Sequence, residues 1–269
     1  RNTGASVAFA ALEVQRRAPN SVQVVLPADH VIRPREAFQR TVRCAAQAAR
    51  SEAALFVFGI HPSYAATAFG WIKAGDVERV VDGIAVHSVA AFVEKPQLAR
   101  AREFLEHGGY YWNSGMFVWS SEAIGRALAQ HMPGAHAALS KSLNSEALAR
   151  AYAALPAQSI DVALLERASG VRMLPIDYFW SDVGSWDSLA SVHAPDGLGN
   201  VACGGAAFSA EDSSGCIVHG DPGQLVALIG CDDLIVVHAG AVTLVCRRDR
   251  AQDVKALVER LQREQSEFL

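Results

Sequence analysis

The stretch Ser21–Ile32, SVQVVLPADHVI, decides how the rest of the chain is read, because it passes abruptly from a buried strand to a polar corner. Val22, Val24, Val25 and Leu26 are apolar and mostly β-branched, the composition of a central strand covered on both faces. Pro27 has no N–H to give to a ladder, so the chain turns there and carries Asp29 and His30 just past the strand's carboxyl end. Open α/β sheets bind their ligands at such ends. An acidic side chain held there is a candidate ligand for a metal or a hydroxyl. The plainer reading is that Asp29 caps a turn, and His30 reads as structural.

Working outward, Asn2 or Thr3 can cap a helix that runs to about Arg17, with Val7, Ala8, Ala11, Leu12 and Val14 on its apolar side. Beyond the corner, Glu36 to about Ala49 is an Ala-rich helix and Ala54–Ile60 a second buried strand. Helix, strand, helix, strand predicts a parallel sheet with crossovers. Gly70 ends a loop, where it serves as a plain turn or as a place for backbone to approach a ligand. Gly75–Gly83 is a polar turn region, Ile84–Val93 is extended, and Glu94-Lys95-Pro96 closes it before a helix over Gln97–His107.

In Tyr110–Ser120, YYWNSGMFVWS, the run Asn113-Ser114-Gly115 interrupts an otherwise buried strand, either as a bulge or where a polar ligand lies against backbone. Ser121 to about Leu155 is helical, broken at Pro133-Gly134 and near Leu143-Asn144, and reads as a lid or flanking subdomain. Ser159–Ala168 is a short amphipathic helix that Ser159 can cap, and Val171–Ile176 is a strand. Asp182 then lies in a tight turn before a helix that Ser185 can cap, a position of the same type as Asp29. Two acids on separate strand-end loops can converge on one metal. From about Pro195 short apolar bursts with tight turns predict a small β-rich unit closed by an amphipathic helix over Gln252–Glu264. The expected domains are residues 1–194 and 195–269.

With 51% hydrophobic residues the chain can bury a sizeable core, and a formal charge of -4 argues against nucleic acid or an anionic membrane as the main partner. Five cysteines without a CxxC pair fit a reducing compartment, so a cytoplasmic protein is expected.

Taken in order, Leu26-Pro27-Ala28-Asp29-His30, Phe92-Val93-Glu94-Lys95-Pro96, Trp112-Asn113-Ser114-Gly115-Met116-Phe117 and Asp182-Val183-Gly184-Ser185-Trp186 resemble the mannose-1-phosphate guanylyltransferases of the sugar-1-phosphate nucleotidyltransferase superfamily. The resemblance implies an α/β fold, a Rossmann-like nucleotide-diphospho-sugar transferase sheet with helices on both faces, followed by a short left-handed β-helix-like tail. It implies transfer of a nucleotidyl group from GTP to mannose 1-phosphate, giving GDP-mannose and pyrophosphate with Mg²⁺ as cofactor. By the same resemblance Asp29 and Asp182 are metal ligands, Lys95 holds the sugar phosphate and Glu94 accepts from sugar hydroxyls. Asn113, Gly70 and Gly115 meet the sugar, and Asn2, Thr3 and Asp29 the nucleotide. Asp161 is either a further sugar ligand or a first-turn acid favouring the helix dipole. The β-rich tail is a plausible contact surface for a homo-oligomer.

The chain departs from the family pattern at one place. A glycine-rich loop of the type GGxGTRLxPLS, whose amides cradle triphosphate oxygens, has no counterpart between Arg1 and Leu269. The expectation is therefore an interior excerpt of a longer enzyme, some relatives of which continue into a phosphomannose isomerase domain. The competing expectation is a non-catalytic sugar-nucleotide-binding or regulatory protein of the same fold. A metal-dependent glycosyltransferase is disfavoured, since the acidic pair Asp232-Asp233 falls in the β-rich tail rather than at a sheet's strand end.

Overall fold

The computed structural model describes residues 2–141 and 145–264. The chain divides into two compact units, one holding the described residues up to Ala28 together with Ile32–Trp180, the other Asp29–Val31 together with the described residues from Ser181 on. No helix among the described residues is long and apolar enough to cross a membrane.

In the first unit, α1 (Asn2–Arg17) buries Ala5, Ala8, Ala11 and Leu12, small residues spaced three or four apart on one face. It leads into β1 (Val22–Val25), β2 (Val31–Arg33), α2 (Arg35–Ser51) and β3 (Leu55–Ile60). A hairpin of β4 (Trp71–Val81) and β5 (Ile84–Val93) follows, then α3 (Leu98–His107), β6 (Tyr110–Ser120), α4 (Ser121–His131), α5 (Pro133–Leu139), α6 (Ser145–Ala154) and β7 (Val171–Ile176). The six-stranded sheet has the order β1-β6-β3-β7-β5-β4.

Alternation along the inner strands divides the core between the two faces of this sheet. Leu55 and Val57 of β3, Phe117 and Trp119 of β6, and Val171 and Met173 of β7 pack with α1, α4 and α5. Their neighbours Phe56, Phe58, Met116, Val118, Leu174 and Ile176 pack with α2 and α3 on the other face. All six residues of β3 are buried, as its uniformly apolar sequence requires of a strand with a core on each side.

Three expectations are corrected here. The sheet is mixed rather than parallel: β3 and β7 run parallel, whereas β6 is antiparallel to β1, β3 and β4. After α3, Gly108 and Gly109 at φ +65° and +68° turn the chain, and β6 enters between β1 and β3. Second, β1 is an edge strand of this sheet rather than a central one, and Val24 is 40% exposed. Third, Gly75–Gly83 is not a turn region. β4 continues to Val81, and only Asp82 and Gly83, both at positive φ (+48° and +81°), make the hairpin turn. The register slips between Lys73 and Arg79, which explains why the polar sequence there shows no clean alternation.

The helical segment after β6 breaks at Met132, while its other expected break falls partly at Leu143 and Asn144, outside the described residues. Ile124, Leu128, Ala135 and Leu139 of α4 and α5 are buried in the core, so these helices form part of the packed layer rather than a lid.

The short strand β8 (Phe179–Ser181) ends at the start of the second unit, which then holds a 3-10 turn, α7 (Leu189–Val192) and the short strands β9 (Val201–Cys203), β10 (Ala207–Glu211), β11 (Ile217–Gly220), β12 (Leu225–Ile229), β13 (Leu234–Ala239) and β14 (Val242–Arg247). β9, β11 and β13 pair in parallel, as do β10 and β12, while β14 returns antiparallel on β13. Alternate strands thus stack in two sheets, with Val201, Ile217 and Ile235 aligned across one ladder. Buried Asn200 ties this region together: its Nδ2 donates to Asp196 Oδ2 and to the Ser213 carbonyl, and its Oδ1 accepts from Cys216 N–H. The chain closes with α8 (Val254–Arg263).

Candidate active site

Apart from Asn2 and Thr3, the sequence-predicted residues of the first unit gather around the carboxyl end of β5. The loop ending at Gly70 is joined to both neighbouring segments by backbone bonds, Asn113 N–H donating to the Gly70 carbonyl at 2.7 Å and Lys95 N–H to the Phe69 carbonyl at 3.2 Å. Asn113, buried in β6, is held at both ends of its amide. Its Nδ2 donates to Asp161 Oδ1 at 2.8 Å, and its Oδ1 accepts from Gly115 N–H at 3.2 Å. Gly115 has φ +69°, so the interruption in this strand is a local left-handed kink that glycine accommodates. Asp161 heads the π-helical turn Asp161–Leu165, and Ser159 Oγ accepts from Val162 N–H at its start.

Glu94 lies in the middle of this group. Its Oε1 is 3.6 Å from Lys95 Nζ, and its Oε2 is buried with no hydrogen-bond partner among the described residues. That oxygen would stand 2.5 Å from a Cβ placed on Gly70, so glycine there is what lets the carboxylate approach the backbone. Burial, then the charge of Asp161, pushes the Glu94 carboxyl up to about 7, with Glu166 adding to the rise and Lys95 opposing it. Burial also raises Asp161 above its ordinary value, against the hydrogen bonds that favour its ionised form. Lys95 is at φ +47°, a backbone conformation rare outside glycine, and extends a largely exposed ammonium. Chemically the group is a set of acceptors on a short arc with one cation beside it, suited to a polyol that carries an anion.

In the second unit, Asp29 and Asp182 both act on one imidazole. Burial lowers the pKa of His30, and the charges of Asp29 and Asp182 oppose that fall. Asp182 Oδ1 accepts from Gly184 N–H at 3.2 Å across Val183, which has φ +49°. Ser185, expected as a helix cap through its side chain, instead offers its carbonyl to Ser188 N–H. Among the described residues no group of three or more His, Cys, Asp or Glu side chains is arranged to hold a metal ion. Two carboxylates nevertheless fit a hard divalent cation that retains waters and takes its remaining ligands from phosphate oxygens.

Asn2 and Thr3 stand at the head of α1. Asn2 Oδ1 accepts from Thr3 N–H at 2.7 Å, while Thr3 Oγ1 accepts from Ile160 N–H at 3.0 Å. Thr3 is thereby committed to the turn that presents Asp161. Sequence reasoning missed one neighbour of the site, Glu166, whose Oε1 accepts from Glu94 N–H at 2.9 Å. In the sequence it is only the last acid of an amphipathic helix, and no local signal links it to a residue 72 positions away.

Residues 1–197 match the family model described as nucleotidyl transferase. The chain belongs to the nucleotidyl transferase family. Residues 210–261 further match a model described as a MannoseP isomerase/GMP-like beta-helix domain, in agreement with the stacked sheets of the second unit. A solved structure described as mannose-1-phosphate geranyltransferase from Thermus thermophilus superimposes with a TM-score of 0.88 at 32% identity, covering 97% of this chain and 76% of that one. Among curated proteins, the alginate biosynthesis protein AlgA of Pseudomonas aeruginosa is 38% identical over 97% of this chain and 55% of its own length. The mannose-1-phosphate guanylyltransferase of Escherichia coli (strain K12) is 36% identical over 97% of this chain and 56% of its own. This member of the nucleotidyl transferase family therefore spans about half the length of the curated relatives it matches.

Proposed function

We propose that this chain serves the transfer of a guanylyl group from GTP to mannose 1-phosphate, giving GDP-mannose and pyrophosphate. The observation that carries the reading is the arrangement around Glu94: an acceptor-rich arc of Glu94, Asp161 and Asn113, with a buried Glu94 oxygen lacking a partner among the described residues and the Lys95 ammonium beside it. A sugar with adjacent hydroxyls satisfies that oxygen, and its phosphate suits the ammonium. Mannose 1-phosphate is named in the descriptions of the relatives, which supports mannose as the sugar of this reading.

In the reaction an oxygen of mannose 1-phosphate attacks the α-phosphorus of GTP, and the bond from that phosphorus to the β-phosphate bridging oxygen breaks, releasing pyrophosphate. Two anions must approach in line, so the tasks of the protein are charge compensation and orientation. Lys95 offsets the charge of the sugar phosphate. Glu94, Asp161 and Asn113 orient the sugar ring, and the absence of side chains at Gly70 and Gly115 leaves room for it. Asp29 and Asp182 would hold Mg²⁺, which when bound supplies charge neutralisation at the triphosphate. Asn2 and Thr3, at the head of α1, belong to the nucleotide side of the reading.

The test combines binding and turnover. The chain is titrated with mannose 1-phosphate and GDP-mannose. It is then assayed for pyrophosphate release with GTP and Mg²⁺, both alone and extended at its amino end by a glycine-rich loop of the family type. GDP-mannose formation that Lys95→Ala abolishes supports guanylyl transfer. Sugar-ligand binding without turnover in both forms supports the non-catalytic binding protein instead, and absence of binding and turnover together removes both readings.

A further inference from the structure

The Glu94–Lys95 corner is constrained at both of its amides. Lys95 N–H donates to the Phe69 carbonyl at 3.2 Å, and Glu94 N–H donates to Glu166 Oε1 at 2.9 Å. Just past these two amides the backbone passes into the left-handed region at Lys95, φ +47°. A non-glycine residue keeps that conformation only where its surroundings hold it there. The Phe69 bond is one such restraint, and the Glu166 carboxylate, arriving from just beyond the π-helical turn that begins at Asp161, is the other. The side chain that the corner presents is Glu94, with one oxygen buried against Gly70 and unpartnered among the described residues.

We propose that Glu166 is a positioning residue for the sugar-phosphate site: by accepting the Glu94 amide it holds the turn that aims Glu94 at sugar hydroxyls and Lys95 at the phosphate. This inference rests on the sugar-phosphate reading above. Glu166 need not touch the sugar to act. The charged groups facing Glu94 are Lys95 on its own segment, Asp161 at the head of the turn and Glu166 beyond it, and the negative charge of Glu166 adds to the rise of the Glu94 carboxyl. Glu166 therefore both orients Glu94 and makes it harder to ionise, and two substitutions separate these effects. Glu166→Gln keeps an oxygen acceptor for the amide and removes the charge. Glu166→Ala removes both.

The 269-residue chain and both variants are compared by calorimetric titration with mannose 1-phosphate from pH 5.5 to 8.5, by carboxyl-carbon NMR titration of Glu94 without ligand, and by hydrogen exchange of the Glu94 amide. At pH 8, loss of one charge-assisted bond in Glu166→Ala weakens mannose 1-phosphate binding about tenfold and speeds exchange of the Glu94 amide by a similar factor. Glu166→Gln binds within about threefold of the parent at that pH, yet its Glu94 midpoint falls below the parent's value of about 7. The second ionisation of the sugar phosphate, near 6, is common to all three proteins and cancels in the comparison. A merely structural Glu166 would lower the melting temperature of both variants without moving the Glu94 midpoint or selectively exposing its amide, and that result overturns the proposal. Should the parent itself fail to bind mannose 1-phosphate, the sugar-phosphate reading falls. The ligand-free exchange and midpoint measurements then decide the positioning role, unchanged values overturning it.

Discussion

At Gly70 the space for one methyl group separates two outcomes. A Cβ there would come within 2.5 Å of Glu94 Oε2 and 3.2 Å of Asn113 Cβ, so Gly70→Ala must displace the carboxylate on which the sugar reading depends. We expect mannose 1-phosphate affinity to fall by about tenfold or more, measured by calorimetry, while the fold persists because the displaced group is a side-chain end. Glu94 has a second consequence at this scale. With its folded-state pKa raised from 4.5 to about 7, the folded chain binds more protons than the unfolded one across that window. Its contribution to stability therefore declines as pH rises from about 4.5 through 7. Glu94→Gln should remove that decline and raise stability at pH 8 by about 1 kcal/mol, a value discounted for partial exposure. Denaturant melts at pH 5 and pH 8 check it; an unchanged pH dependence in the variant would contradict the burial argument. Glu94, Lys95, Asn113 and Gly115 were legible in the sequence through its motifs, whereas Gly70 and Asp161 lie outside them and Glu166 carried no local signal. The orphaned oxygen and the raised carboxyl were not, because both arise from burial.

Elements show a sharper division. The helices α1 and α2 and the strands β3 and β7 lie close to where periodicity and capping residues place them, since these signals act over a few neighbouring residues. The direction of β6 and the edge position of β1 were not legible, because strand pairing is chosen by long-range packing. The β4–β5 hairpin was missed because its polar, slipped register hides the alternation that marks a strand. Its turn supplies a test. Gly83 sits at φ +81° with open space around it, so Gly83→Ala meets backbone strain alone and should cost about 1 kcal/mol in urea unfolding. No measurable cost would mean that the turn relaxes. Asn200 anchors the stacked strands through three side-chain hydrogen bonds, two of them buried, and Asn200→Ala should cost about 3 kcal/mol, leaving the Cys216 amide and the Ser213 carbonyl unpaired. Loss of protection in β9, β11 and β13 by hydrogen exchange locates that cost.

On the scale of the whole molecule, the proposed sugar-phosphate groups and the proposed metal carboxylates fall in different compact units, so the two halves of the functional reading can be tested separately. Mg²⁺ with GTP should raise the melting temperature by mass action, and Asp182→Asn should remove that rise while leaving mannose 1-phosphate binding by the Lys95 site in place. A rise that persists undiminished in Asp182→Asn would take the carboxylate out of the metal reading. What the sequence by itself determined is the set of local periods, the turn residues and the motifs that mark this as a nucleotidyl transferase, all encoded within short windows. Only the tertiary structure decided that Asp161 would meet Asn113 across 48 positions and Glu166 the Glu94 amide across 72. Such meetings depend on which strands pair and which faces are buried, a choice made by the whole core at once and not by any one stretch of it.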